Sequence, residues 1–268
     1  MRLLVTGAGG MLGRDVMRVA PGAVGLTRAE LDVTNASAVA RAVEEVRPDA
    51  IVNCAAYTNV DAAEGDEAEA TRVNGSSALA DHAGDAVLVY PSTDYVFDGT
   101  KREPYVESDA VAPRSAYGRS KLAGERATAR APRHVVVRTS WLFGVAGRNF
   151  VDTMLGLDGA PKVVDDQVGC PTYTGHLAEA LVDLASGRLT GVVHVAGSGQ
   201  CSWYEFAAEI FRQAGREVDL RPCTTEEFPR PAPRPAYSVL ASERPDAPRL
   251  PDWQEGLRAY LGERAAAR

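Results

Sequence analysis

The chain is short of lysine. Only Lys101, Lys121 and Lys162 are lysines among its 29 basic residues, and the rest are arginine. Against that background a lysine points to a place where an ammonium is required, because a buried lysine responds to its surroundings in ways arginine does not. No concentrated basic stretch is visible and the formal net charge is −7. Both argue against a nucleic-acid binder, which needs a basic face for phosphate. The four cysteines, Cys54, Cys170, Cys201 and Cys223, are widely spaced and form no C-x-x-C pair. A reduced protein is the simpler expectation than a disulfide-stapled one. No apolar run reaches the ~18 residues of a membrane span. The N-terminus enters a strand pattern at once, without a signal-peptide pattern. The expectation is a cytoplasmic protein with neither membrane nor nucleic acid as partner. At 268 residues and 45% hydrophobic content, the chain suits one large domain or two closely joined ones.

What is present begins with a short apolar run, Arg2 to Thr6, that stops at GAGGMLG. An amphipathic segment follows, with Leu12, Val16 and Val19 at helical spacing. In this strand–turn–helix setting Gly7, Gly10 and Gly13 read as a dinucleotide turn. Gly7 allows the tight bend, Gly10 lets backbone amides approach a pyrophosphate, and Gly13 permits close packing of helix on strand. Apolar runs recur at 23–26, 50–56, 86–90 and 134–139, separated by helical patterns at 37–46 and 68–82. Continuous rather than alternating hydrophobicity predicts strands covered on both faces. The fold class expected is α/β, a doubly wound parallel Rossmann sheet with a smaller α/β substrate-binding lobe. Ligands of such a sheet sit at the carboxyl ends of its strands.

Those ends carry the polar residues. After the second strand, Thr27 and Arg28 precede Glu30, which favours a 2′-phosphate and hence NADPH, with NADH as the alternative. Asp32 and Val33 edge the adenine in this reading, and small Ala55 and Ala56 follow the third strand. After the fourth, Ser92, Thr93 and Asp94 project towards the cleft. Tyr117 and Lys121 lie four residues apart in SAYGRSK, on one face of a predicted helix. A phenol has an ordinary pKa near ~10, and a cation one turn away is expected to lower it, making Tyr117 a usable proton donor.

Residues 1–145 read as the dinucleotide-binding domain and 146–268 as mainly the substrate lobe, with about 175–215 returning to the first. Helical patterns fall near 149–157, 175–185 and 203–214. The stretch PRPAPRPAYS, 229–238, reads either as an extended surface linker or as a cleft wall, with Arg230 or Arg234 reaching a diphosphate. Residues 264–268 read as a frayed end.

TGAGGMLG, LDVTN, NCAAYTNVDAAE, STDYVFDG, SAYGRSKLAGE, RTSWLFG and DQVGCPT occur in that order, densely over residues 1 to about 175. The series resembles the dTDP-4-dehydrorhamnose reductase family of extended short-chain dehydrogenases/reductases. The resemblance implies a catalytic trio of Thr93, Tyr117 and Lys121. It puts Gly10, Met11 and Leu12 under the pyrophosphate, Asp32 and Val33 near the adenine, and Ala55, Ala56 and Tyr57 along the cofactor. Lys121 would also hold the nicotinamide ribose, and Thr93, Asp94 and Trp141 would face the sugar nucleotide. The implied reaction is NAD(P)H-dependent reduction of the 4-keto group of a dTDP-linked keto-deoxy sugar. Some members dimerise through a metal bound by glutamates. Those glutamates cannot be placed here, so no metal is assigned and a homodimer stays open. Two rivals share the build: a reductase of another dTDP-keto-sugar, such as a dihydrostreptose synthase, and a non-catalytic NADP-binding regulatory subunit.

Overall fold

The computed structural model describes residues 1–157 and 159–266. Its first half alternates strand and helix: β1 (Leu3–Thr6), α1 (Met11–Val19), β2 (Val24–Leu26), α2 (Ala36–Val46) and β3 (Ala50–Asn53). Three short helices follow, α3 (Val60–Gly65), α4 (Glu67–Asn74) and α5 (Ala78–His82). Then come β4 (Val87–Thr93), α6 (Ala116–Thr128) and β5 (His134–Thr139). The strand Gly191–His194 completes a six-stranded parallel sheet in the order Gly191–His194, β5, β4, β3, β1, β2.

Both faces of the sheet are covered, which is why the runs are continuously apolar. On one face Leu3, Val5, Val52, Val89 and Val137 pack with α1 residues and with Leu177 and Leu181 of the helix Thr174–Ser186. On the other, Leu4, Ile51 and Leu88 meet Val39 of α2 and Leu79 of α5. A separate cluster of Phe143, Val151, Phe206, Ile210, Trp253, Leu257 and Tyr260 forms the second core.

Three sequence expectations change. The pattern at 68–82 is two helices rather than one. A Cβ on Gly75 would stand 2.7 Å from the Thr71 carbonyl and 3.2 Å from Ala123 of α6, so α4 stops where α6 crosses it. The helix Trp203–Gln213, expected with the sheet, belongs to the second core through Phe206 and Ile210. Residues 264–266 are helical rather than frayed, and Arg264 Nε donates to Asp152 at 2.7 Å. Residues 267–268 lie outside the described residues. Among the described residues, no helix is long and apolar enough to cross a membrane.

Candidate active site

The turn after β1 is built from glycines that nothing larger can replace. Gly7 has φ +66°, and a Cβ there would come within 2.5 Å of the Ala55 backbone nitrogen. A Cβ on Gly13 would lie 2.3 Å from the Gly7 carbonyl oxygen. Gly10 caps α1 with no side-chain hydrogen bond, and no acid occupies the helix's first turn. The amides of the helix N-terminus are therefore left for an anionic ligand. In front of them runs a groove of about 420 Å³ whose walls include Gly7, Gly10, Arg28, Asp32, Ala55 and Tyr57.

Ala56 and Val33 also line it, although Val33 is only 4% exposed and its carbonyl accepts from Ser76 Oγ at 2.7 Å. Met11 and Leu12 are different. The Leu12 side chain is in the sheet core and Met11 lies against Gly144, so only their backbone is left for a pyrophosphate. Cys54 and Val73 line the groove without having been singled out as cofactor residues. Cys54 adjoins Ala55 at the end of β3, which was a usable signal. Nothing in the sequence marked Val73.

Acid and base divide at the β2 turn as their order in the chain suggested. Glu30 is turned back on its own loop, accepting from Thr27 N at 2.8 Å and Thr27 Oγ1 at 2.7 Å. Arg28 remains on the groove wall. Hydrogen bonds from the Thr34 amide and hydroxyl hold the Asp32 carboxyl below its ordinary range.

Beyond the groove, α6 starts at Ser115, whose side chain accepts from Gly118 N at 3.1 Å. Lys121, one turn after Tyr117, is 3% exposed. Its Nζ donates to the Pro91 carbonyl at 2.7 Å and stands 4.1 Å over the Tyr90 ring. Burial pushes the ammonium down to about 7, opposed by the Glu125 carboxylate. The half-buried Tyr117 meets the Tyr95 ring edge-on at 6.1 Å, and its hydroxyl is hydrogen-bonded to Thr93. Burial and the Asp94 carboxylate push the Tyr117 phenol above its ordinary value. The expected lowering by Lys121 is not what these protein groups produce. The ammonium is drawn to Pro91 and Tyr90, and the charge acting on the phenol is Asp94's, of the opposite sign. A phenol held neutral is still a proton donor.

Asp94 itself is 2% exposed and accepts from Thr93 Oγ1 at 3.0 Å, Ser140 Oγ at 3.1 Å and Ser238. Burial raises its carboxyl to about 6. It is enclosed by hydroxyls rather than offered to a sugar, contrary to the resemblance. Trp141 follows β5 in the left-handed region, at φ +47°. Its ring stacks on Trp203, and a Cβ on Gly169 would reach 2.5 Å from it. Arg230 and Arg234 are both paired to Asp61 of α3 at 2.5 Å. Arg234 also hydrogen-bonds Tyr95, whose ring meets Tyr117, so this stretch folds against the surroundings of α6. Among the described residues, no group of three or more His, Cys, Asp or Glu is placed to hold a metal.

A parallel Rossmann sheet, a glycine turn and a Thr–Tyr–Lys cluster at the carboxyl ends of its strands define an extended short-chain dehydrogenase/reductase. The family model described as RmlD substrate binding domain matches residues 1–265. A probable dTDP-4,6-dihydroxy-2-methyloxan-3-one 4-ketoreductase of Streptomyces antibioticus is 46% identical, over 100% of this chain and 97% of its own. The dTDP-4-dehydrorhamnose reductase of Mycolicibacterium smegmatis is 43% identical, over 96% of this chain and 84% of its own. The crystal structure of the Bacillus anthracis dTDP-4-dehydrorhamnose reductase, in complex with NADP, superposes with a TM-score of 0.94. It is 39% identical and covers 98% of this chain and 99% of its own. The chain belongs to the dTDP-4-dehydrorhamnose reductase family.

Proposed function

We propose that this protein is an NADPH-dependent reductase of the 4-keto group of a dTDP-4-keto-6-deoxy-L-sugar, turning dTDP-4-dehydro-L-rhamnose into dTDP-L-rhamnose. The observation that carries the reading is the convergence of Thr93, Tyr117 and Lys121 at the ends of β4 and α6, beside a groove whose glycines and uncapped helix suit a dinucleotide. Arg28 on the groove wall supports a cofactor with a 2′-phosphate, as does the NADP in the Bacillus anthracis structure. Within the same reading the enzyme works in the cytoplasm, and homodimerisation is open to sedimentation analysis.

When bound, the reduced nicotinamide supplies hydride to the keto carbon. Tyr117, kept protonated by burial and by Asp94, gives its proton to the carbonyl oxygen as negative charge develops there. Thr93 fixes the direction of the phenol and offers a second hydroxyl to that oxygen. Lys121, its ammonium fixed by the Pro91 carbonyl, would hold the cofactor ribose.

The Streptomyces antibioticus relative, whose name specifies a different keto-sugar, favours a second reading with another dTDP-linked ketone as substrate. Following NADPH oxidation across a panel of dTDP-keto-sugars, with product analysis, separates the two. Tyr117→Phe should keep NADPH binding and lose ~10²–10⁴-fold in turnover. A variant within a few-fold of wild type, with chemistry rate-limiting, removes the assignment. It would favour the non-catalytic NADP-binding subunit, which has no need of the trio.

A further inference from the structure

The face of α6 that carries Tyr117 and Lys121 continues one more turn to Glu125, so three polar side chains stand in a row at i, i+4 and i+8. Glu125 is fully engaged. Arg138 of β5 donates to both its oxygens, Nε to Oε1 at 3.0 Å and Nη2 to Oε2 at 2.8 Å. Ser92 Oγ donates to Oε1 at 2.6 Å. The side chains of this ion pair are only 5% and 6% exposed. Behind Arg138 stands His194, whose Nδ1 faces the Tyr105 and Ala241 carbonyls and whose Nε2 lies 3.5 Å from the guanidinium. Burial keeps that imidazole below its ordinary value, so it adds no charge against Arg138 at neutral pH.

A buried ion pair of this kind is poor evidence of a stability role, since apolar residues of similar volume often replace one without loss. Its place suggests another use. Lys121 binds the Pro91 carbonyl and Glu125 binds the Ser92 hydroxyl, two consecutive residues of β4, and the next is Thr93. We propose that Glu125, locked by Arg138 and Ser92, is a positioning residue for Lys121: it fixes the turn of α6 that carries Lys121 against the end of β4, where Thr93 meets Tyr117, and sets its own carboxylate one helical turn from the amine.

The groups around Lys121 fit that role. Tyr90 of β4 and Tyr117 of α6 are phenols pushed up by burial, and the Cys54 thiol after β3 is pushed up to about 12, so all three are neutral. Arg138 is cationic, but both its contacts to this group run through Glu125. Among the described residues that act on Lys121, Glu125 is the carboxyl group, and it works against the burial that lowers the ammonium. Without it burial alone governs the amine, and a neutral Lys121 offers the ribose no ammonium.

This inference rests on the proposed role of Lys121 in cofactor binding, but its first readout does not. With only three lysines in the chain, ¹³C-labelled lysine gives three side-chain signals to assign, Lys121 by its loss in Lys121→Met. In the full-length protein without cofactor, the Lys121 titration midpoint should fall by about one pH unit in Glu125→Gln. Glu125→Asp should return most of it. If Glu125→Gln does not fold, the double variant Glu125→Leu/Arg138→Met removes the same carboxyl group without stranding the arginine, and should shift the midpoint the same way. The second readout is the NADPH dissociation constant between pH 6 and 9.5. Its alkaline weakening should begin about one unit earlier in the variants, with affinity at the acid end within a few-fold of wild type. An unmoved midpoint overturns the inference, as does a uniform loss of affinity at every pH. Failure of the wild type to bind NADPH at any pH would instead count against the proposed function, leaving the midpoint to decide this point.

Discussion

Trp141 and Trp203 lie face to face, with ring centroids 3.5 Å apart and planes 6° from parallel. Trp141 follows β5 and Trp203 opens a helix of the second core, where it also meets Phe150 at 4.6 Å. The stack therefore joins the segment that follows β5 to the second core. Trp141→Ala should cost about 2 kcal/mol, less than the ~3–5 for a fully buried aromatic because the ring is half-buried. Trp141→Phe should keep most of that. A double-mutant cycle with Trp203→Ala should show coupling of about 1 kcal/mol. Urea unfolding measures all three. Additive losses, or none in Trp141→Ala, would mean the stack does not bear on stability.

That pair also shows where sequence reading stopped. The parallel strands were legible because both faces are buried and the runs are unbroken. The glycine turn was legible because Gly7 and Gly13 allow no side chain. Tyr117 and Lys121 were legible as one helix face from their spacing, and as a site only through the glycine turn and the motif series around them. The partners of those residues were not, since each comes from far along the chain. Trp203 is remote from Trp141, Ser238 from Asp94 and Asp61 from Arg234, and no local period links them. The direction of the Tyr117 shift was misjudged for the same reason. Spacing placed a cation one turn away, but not the carboxylate of Asp94 behind Thr93, nor the Pro91 carbonyl that holds the ammonium.

Arg28 stands on the groove wall while Glu30 is folded back on Thr27. Charge-assisted hydrogen bonds to a 2′-phosphate contribute about 1.5–3 kcal/mol. Arg28→Ala should therefore lower the NADPH-over-NADH ratio of kcat/KM by ~10–100-fold, acting mainly on NADPH. Titrating both cofactors against wild type and variant gives the ratio. An unchanged ratio would place the 2′-phosphate elsewhere.

Asp61 joins α3 to the arginine-proline stretch. Although burial works against it, hydrogen bonds from Arg234 and Arg230 hold its carboxyl at about 2. A carboxyl depressed on folding adds stability above its unfolded pKa of ~4, and that stability is lost as pH falls through the folded value. With allowance for solvent screening, Asp61→Asn should lose about 1 kcal/mol at pH 7. The gap from wild type should close between pH ~4 and ~2. Chemical denaturation at several pH values tests this. A gap that persists at pH 2 would assign the loss to packing instead of charge.

The last prediction concerns Tyr117 and Lys121 acting as one unit. Both are fixed to β4, Tyr117 through the Thr93 hydroxyl and Lys121 through the Pro91 carbonyl. Tyr117→Phe removes the proton and keeps the ring, so turnover should fall while NADPH binds normally. Lys121→Met removes the ammonium, so turnover and NADPH affinity should fall together. A substrate oxygen that finds no proton gains little from a cofactor held beside the missing phenol. The double variant should therefore lose much less than the product of the two single losses. Thr93→Val should reproduce part of the Tyr117→Phe defect, ~10-fold or more, because the phenol loses the partner that aims it. Thr93→Ser should restore that part. Single-turnover rates and NADPH dissociation constants for the five variants decide the matter. Strictly multiplicative losses in the double variant would mean that the two side chains work independently, and that their shared attachment to β4 has no part in the chemistry.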